Sequence, residues 1–317
     1  MNIIKRVINV LLHNRNIIYL MLLSRIQKFI PDKPYVKLYY YLTMGKKLNL
    51  KNPKTFNEKL NWLKLYDRIP LYTTLVDKYE VKDWVKAKIG EEYVIPTLGV
   101  WDSFEEIPFD ELPNQFVLKT THGGGSVGVV ICKDKQAFDK EAARKKLNHS
   151  MHISGYEKHR EWPYKNVHRR IIAEKYMEEA SSNTKITESA GVLNDYKFFC
   201  FDGEVKYLFI ATERQKAGEE VKFDFFDADF NHLNLVQHHP MSGKEIQKPQ
   251  TFDEMKRIAG ILSEGIPQIR CDLYEIDGKV YFGEMTFFHH GGVVPFHPEK
   301  WDYEFGSWIK LPKEKTK

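Results

Sequence analysis

The sequence predicts an α+β fold, with antiparallel sheets in two or three lobes preceded by a mainly helical N-terminal region. Three observations point there. Residues 195–214 and 269–292 each carry two apolar runs split by an Asp-Gly pair, Asp202-Gly203 and Asp277-Gly278, which reads as a β-hairpin. Residues 116–132 join two strand-like runs through a glycine-dense loop. Helices are announced by capping signals, and no dinucleotide fingerprint or βαβ unit accompanies them. At 317 residues the chain can bury a large core. Its net charge of +5 suits an anionic substrate and does not call for nucleic acid. Cys132, Cys200 and Cys271 lie far apart in apolar runs without metal-ligand spacing, so buried thiols in a reducing compartment are expected.

Taken in order, residues 1–75 read as helical. The run Ile17 to Leu23 is too short to span a bilayer, and Arg15 and Arg25 flank it. Basic residues alternate with apolar ones here, so this helix either packs on the protein's own core or lies at a membrane interface. Thr55 and Glu58 form a capping box that opens a helix through Phe56, Leu60 and Leu63. A second helix is expected over residues 76–89, with Lys78 in its first turn and Gly90 at its end. A strand follows near residues 93–101.

Lys119 ends the next strand, and His122, Gly123, Gly124, Gly125 and Ser126 lead into the following one. Consecutive glycines let backbone N–H groups approach a phosphate, and the lysine supplies countercharge. The loop leads into a strand and lacks a GK[ST] signature, which excludes a Walker P-loop. The reading is a glycine-rich lid over nucleotide phosphates, set against an ordinary hairpin tip. A helix is expected from Asp139 to Asn148. Residues 152–170 are basic and aromatic, either a surface loop or part of an acceptor site. Residues 169–179 give a strand ending in acids, whose backbone could meet an adenine and whose carboxylate could meet ribose hydroxyls. Residues 180–190 are small, polar and expected to be mobile. In the first hairpin, Lys197 sits within an aromatic strand, either snorkelling at an edge or aimed at an anion, and Arg214 closes the return strand. A further strand is expected at residues 222–226. Thr251 and Glu254 form a second capping box, on a helix to Ser263 stopped by Gly265.

The last hairpin carries the charge. Arg270, Asp272 and Tyr274 alternate onto one face of the first strand, and Phe282, Glu284 and Thr286 onto one face of the second. Whether Asp272 and Glu284 share a side depends on the turn. A two-residue turn pairs Ile276 with Lys279 and separates them. A three-residue turn over 276–278 unites them and sets Arg270 opposite Glu284. United, two carboxylates and a hydroxyl suit a hard divalent cation such as Mg²⁺; the alternative is a solvated outer face.

In this order the motifs Asp77-Lys78, Lys119 before THGGGSVGV, EKYM, Lys197, Arg270-x-Asp272 and Glu284-x-Thr286 resemble the ATP-grasp superfamily. The phrases LKNPKTFNEKLNWLKLYDR, FVLKTTHGGGSVGV and DYKFFCFDGEV are similar to its branch in teichuronopeptide and capsular polysaccharide biosynthesis, the TupA-like ATP-grasp proteins. The resemblance spans residues 35–312. It implies two α+β lobes gripping ATP over residues 76–317: a nucleotide lid at 115–170 and a metal and acceptor lobe at 171–312.

Carried over, Lys78 and Lys119 contact phosphates, and the loop from His122 to Ser126 closes over them. Glu174, Lys175, Tyr176 and Met177 form the adenine hinge, with Glu179 or Glu178 on the ribose. Lys197 reaches the nucleotide, Asp272 and Glu284 hold Mg²⁺, and Arg270 stabilises the transferring phosphoryl group. Thr286 stands where most relatives carry Asn, and a hydroxyl is the weaker metal ligand. His289, His290, Gly291, Gly292 and Arg214 are candidates for the acceptor end, Arg214 by fork geometry toward a carboxylate.

The implied activity is an ATP-dependent carboxylate–amine ligase working through an acyl phosphate. Its expected acceptor is a uronic-acid carboxylate of a capsular or cell-surface polysaccharide, joined to an amino acid or amine. A phosphotransferase on a sugar hydroxyl is the alternative. A glycosyltransferase is disfavoured, because Asp227-Ala228-Asp229 is a lone D-x-D match. The expected location is cytoplasmic, either free or at the inner face of the membrane. With the glycine loop supplying the phosphate, the metal reading of Asp272 and Glu284 is favoured, and with it the three-residue turn.

Overall fold

The structure is a computed structural model, and it describes residues 15–125, 127–178, 195–212 and 220–312. Helices α1 (Arg15–Ile26) and α2 (Asp32–Met44) open it and meet through Leu20, Leu23, Tyr35, Val36 and Tyr40. Helix α3 (Phe56–Tyr66) starts at the expected capping box: the Glu58 N–H donates to Thr55 Oγ1 at 3.2 Å, and the Thr55 N–H donates to Glu58 Oε2 at 3.2 Å.

The helix expected over 76–89 starts four residues late, as α5 (Glu80–Ile89), and a separate short helix, α4 (Leu71–Val76), ends where it was to begin. Asp77 is extended, and its Oδ1 accepts from the Tyr79 and Glu80 N–H groups, at 2.8 and 3.2 Å. An aspartate in that role favours a helix start over a helix interior. Lys78 therefore stands in the break between the helices, where its side chain is not committed to either.

Two antiparallel sheets follow. The first has the order β1-β4-β2-β3, from β1 (Thr97–Trp101), β2 (Phe116–Thr120), β3 (Val129–Cys132) and β4 (Ile171–Lys175). Phe116, Leu118, Ile171 and Ala173 pack one face against α6 (Lys140–His152), which Asp139 caps through the Ala142 N–H at 2.9 Å. A short helix, α7 (Gly155–His159), leads back toward β4.

The second sheet has the order β7-β6-β5-β8-β9, from β5 (Asp195–Phe201), β6 (Glu204–Thr212), β7 (Lys222–Asp227), β8 (Ile269–Ile276) and β9 (Lys279–Thr286). Helix α8 (Phe252–Ser263) covers one face through Met255, Ile258 and Ala259. Half of the other face is sealed by α3 and α9 (Lys300–Trp308), where Phe56, Phe199, Phe296 and Phe305 meet edge to face. Its open half faces the first sheet.

One further sequence expectation fails here. The capping box at Thr251 does not form. Thr251 lacks the extended backbone a cap needs, its hydroxyl donates to Glu275, and Glu254 binds Tyr93 and Arg257. The D-x-D match is a turn, with the Asp227 carboxylate accepting from the Asp229 and Asn231 N–H groups. Cys132, Cys200 and Cys271 are buried free thiols. Among the described residues, no helix is long and apolar enough to cross a membrane.

Candidate active site

The sheets enclose a cleft of about 1140 Å³. Alternation along β2 sends Phe116 and Leu118 to the core and Val117 and Lys119 to the cleft. Glu174, opposite Val117 on β4, joins them. Its carboxylate lies between Lys119 Nζ and Lys82 Nζ, 2.5 Å from each. Burial alone would raise the Glu174 carboxyl, but the two lysines outweigh it and hold the group at about 2. Lys82 also donates to Ile95 O and Thr97 Oγ1 and is fixed. Lys119 is held by Glu174 and lines the cleft wall.

Lys78 crosses from one sheet to the other. Its N–H donates to Thr121 O, its Nζ donates to Gly123 O at 2.5 Å, and the same Nζ lies 3.1 Å from Glu284 Oε2. It thus ties the glycine loop to the last hairpin. Asp77 and Arg170 pin its backbone through an ion pair at 3.2 Å.

The hairpin of β8 and β9 overturns the expected turn while keeping its consequence. Ile276 pairs with Lys279 across a two-residue turn, and both Asp277 and Gly278 have positive φ, the conformation of a type I′ turn. Counted from that turn, Asp272 and Glu284 should lie on opposite faces. A β-bulge between Asp272 and Leu273 corrects the count: Leu273 pairs with Phe282, but Asp272 pairs with Glu284. Gly283 is the extra residue. A Cβ there would stand 2.9 Å from Asp272 O and from the Tyr274 ring, so only glycine fits. Phe282 is thereby on the core side, not beside Glu284, and Arg270 pairs with Thr286, not with Glu284.

On the cleft side of this bulge the charges interlock. Arg270 donates from Nε to Asp272 Oδ1 at 2.6 Å and from Nη2 to Asp272 Oδ2 at 2.8 Å. Lys197, directly across from Asp272 on β5, pairs with Asp272 and with Asp195, the latter at 2.5 Å. Arg270 also donates to Thr286 Oγ1 at 3.0 Å and lies 3.6 Å from Glu284. Three cations (Lys78, Lys197, Arg270) balance three carboxylates (Asp195, Asp272, Glu284). Burial pushes Glu284 up, but Lys78, Lys197 and Arg270 prevail and hold it well below the usual carboxylate range. Burial also raises Asp272, against Arg270 and Lys197.

His289 lies behind Arg270, fully buried. Arg270 Nη1 donates to its Nδ1 at 2.8 Å, which leaves Nε2 to donate to Gln237 Oε1 at 2.9 Å; Gln237 in turn donates to Val294 O. Burial, then His290 and Arg270, hold the imidazole well below its ordinary range, so it is neutral. Both ring nitrogens are used in orienting Arg270.

The turn from His289 to Gly292 is gripped by α3. Asn57, Asn61 and Lys64, at i, i+4 and i+7, donate to Val294 O, Gly292 O and Gly291 O at 3.1, 2.7 and 2.7 Å. These three residues carry the site's geometry but were not singled out in the sequence. Their polar spacing within an apolar helix was the available signal. Burial pulls the Lys64 ammonium down to about 8, outweighing Glu161, which raises it.

A TupA-like ATPgrasp family model matches residues 58–310, most of the chain. The chain belongs to the TupA-like ATP-grasp family. The chain is also similar to solved structures of ATP-grasp ligases. D-alanine–D-alanine ligase from Helicobacter pylori is 14% identical, with 81% of this chain and 69% of that one covered and a TM-score of 0.42. The Bacillus anthracis enzyme complexed with ATP is 15% identical, with 68% and 54% covered and a TM-score of 0.37. The ATP-grasp ligase PsnB with minimal precursor, Mg and ADP is 12% identical, with 73% and 57% covered and a TM-score of 0.37. This chain spans little more than half the length of the latter two. No curated protein matches the sequence.

The cleft residues of this ATP-grasp protein fit a nucleoside triphosphate. Val117, Ile131, Ala211 and Phe223 give apolar walls, Lys175 to Met177 edge one end, and Lys78, Lys119 and Lys197 collect at the other. Gly124 and Gly125 have open space where a Cβ would stand, so a ligand can approach that backbone. His122 turns inward, its Nε2 at 3.1 Å from Ser150 O, and anchors the loop to α6. The Glu174 side chain faces the lysines, which leaves only its backbone for the hinge. His290 is part-buried beside His238 and His239, and Gly291 packs on the His159 ring.

The metal fit is narrower. Asp272 and Glu284 face one another as a hard cation needs, with Thr286 next in line. Asp272 is engaged by Arg270 and Lys197, so Glu284, which borders the cleft, is the more accessible ligand. Among the described residues, no cluster of three His, Cys, Asp or Glu side chains is arranged around a metal position. Ser126, Glu179, Arg214, the 180–190 segment and the first 14 residues lie outside the described residues.

Proposed function

We propose that this protein is an ATP-dependent carboxylate–amine ligase that joins an amino acid or amine to a uronic-acid carboxylate of a cell-surface polysaccharide. The observation that supports it is the facing arrangement across one cleft: Lys119 on the first sheet, and Lys197, Arg270 and the Asp272–Glu284 pair on the second, bridged by Lys78. An acyl-transfer ligase must hold a triphosphate, neutralise charge on the transferring phosphoryl group and present a carboxylate to it.

In this reading Lys78 and Lys119 hold phosphate oxygens, and Lys78 exchanges Glu284 for them. Arg270, fixed by Asp272 and neutral His289, offers a rigid cation to the phosphoryl group in flight. Glu284, with Asp272 and Thr286, would hold Mg²⁺, which supplies further charge neutralisation. The substrate carboxylate oxygen bonds to phosphorus as the bond to ADP breaks, giving an acyl phosphate. The amine nitrogen then bonds to the acyl carbon, and phosphate leaves. The turn at His290 to Gly292 is the candidate acceptor wall, and Tyr176 and Met177 the adenine hinge.

The test is incubation with ATP, Mg²⁺, uronic acids and amino acids, read by mass. ADP, phosphate and an amide in equal amounts are expected. ADP with a phosphorylated sugar would overturn the ligase in favour of a phosphotransferase.

A further inference from the structure

We propose that the N-terminal face, formed by α1 and the turn after it, docks on an anionic lipid surface. Two independent observations meet there. The first is charge. Residues 1–31 contain Lys5, Arg6, Arg15, Arg25 and Lys28 and no Asp or Glu, a net +5. The whole chain is also +5, from 48 basic and 43 acidic residues. Residues 32–317 therefore hold 43 of each sign and are neutral. The entire excess is placed in one tenth of the chain.

The second is exposure. Helix α1 reads RNIIYLMLLSRI, apolar on nearly all sides. Only Leu23 is fully buried; Tyr19, Met21, Leu22 and Ile26 are each more than half exposed, and Phe29 just beyond is 87% exposed. A helix apolar all round is normally covered all round. Here α2 covers one side, and large apolar and aromatic side chains interleave with Arg25 and Lys28 on the rest. Exposed apolar side chains beside Arg25 and Lys28, the latter 3.5 Å from Glu157, in a segment that itself carries no acidic residue, are the composition of a helix lying in a lipid headgroup layer, not of one seated on an acidic protein groove or spanning a bilayer. The C-terminal side of this region is fixed to the body. Tyr35 donates to Lys158 O at 2.9 Å and Arg160 donates to Gln27 O, so the face is held as a rigid platform. It precedes the 58–310 segment that defines the family.

The experiment uses the full chain and vesicles of phosphatidylcholine alone or mixed equally with phosphatidylglycerol, read by co-sedimentation. Binding is expected only to the anionic vesicles and is expected to fall with added salt. The triple variant Leu22→Glu, Ile26→Glu, Phe29→Glu alters exposed positions only. It is expected to keep the wild-type unfolding temperature and lose binding. Arg25→Ala is expected to weaken binding about fivefold. No enrichment on anionic vesicles overturns the proposal. So does a dimer in solution that the triple variant turns into a monomer, because a second copy would then cover this face.

Discussion

Two glycine-rich stretches frame the cleft, and they look alike in sequence but differ in how they are held. The loop at residues 122–128 has fixed ends and an open middle. Cβ atoms at Gly123 and Gly128 would strike Thr120 Oγ1, whereas at Gly124 and Gly125 they would meet nothing within 4 Å. The turn at His289 to Gly292 is closed throughout. A Cβ on Gly291 would lie 2.8 Å from the His159 ring and one on Gly292 2.9 Å from Asn61 Nδ2, and α3 holds the carbonyls. The charges beneath follow suit: Glu174 sets a lysine beside the open loop, and His289 locks an arginine beneath the closed turn. One rim leaves its backbone open, the other holds a side chain still.

The contrast breaks first at the charges. Glu174→Gln leaves Lys82 and Lys119 facing no carboxylate and should cost about 3 kcal/mol at neutral pH. Because the folded carboxyl lies at about 2, below the ordinary 4.5, this contribution is complete above 4.5 and is lost as pH falls toward 2. Urea unfolding of wild type and variant at pH 7 and pH 3 should therefore show a gap that narrows in acid; a constant gap refutes the assignment.

Next comes the closed turn. Gly292→Ala places a Cβ against Asn61 at positive φ and should cost about 2 kcal/mol in the same assay. Gly128→Ala, at the fixed end of the open loop, should cost about 1 kcal/mol as Thr120 and Ser150 shift. The smallest stability effect belongs to Gly124→Ala, within about 0.5 kcal/mol. It should nonetheless weaken binding of an ATP analogue in calorimetry, since its backbone is the part left open. Equal losses of stability at Gly124 and Gly292 would erase the distinction.

Much of this was legible in the sequence. Asp-Gly pairs placed both hairpins, and β-branched and aromatic runs placed the strands that flank them. The facing of Asp272 and Glu284 was anticipated, but through the wrong device. The Asp-Gly turn is the two-residue type its composition favours, and the compensation sits five residues later at Gly283, where a glycine within a strand was itself a bulge signal. Lys78 was placed inside a helix because Asp77 was read as a helix residue and not as a cap. The Asn57–Asn61–Lys64 spacing marks a polar face, but what that face grips was not legible, for a different reason. Its partners lie more than 220 residues away, and local periodicity carries no information about them. His289 read as an acceptor residue because a histidine at a strand end shows its chemistry but not its depth.

The bulge at Gly283 gives β9 two phases. On the turn side, the alternation sends Val280 and Phe282 to the interior; beyond it, the same count of two would send Glu284 there and Met285 into the cleft. One inserted residue inverts that parity for everything that follows up to the end of the strand. A single ribbon can thus be core-forming at one end and reactive at the other. The choice of which side of the sheet is reactive is stored as an odd or even number, not as the identity of any charged residue.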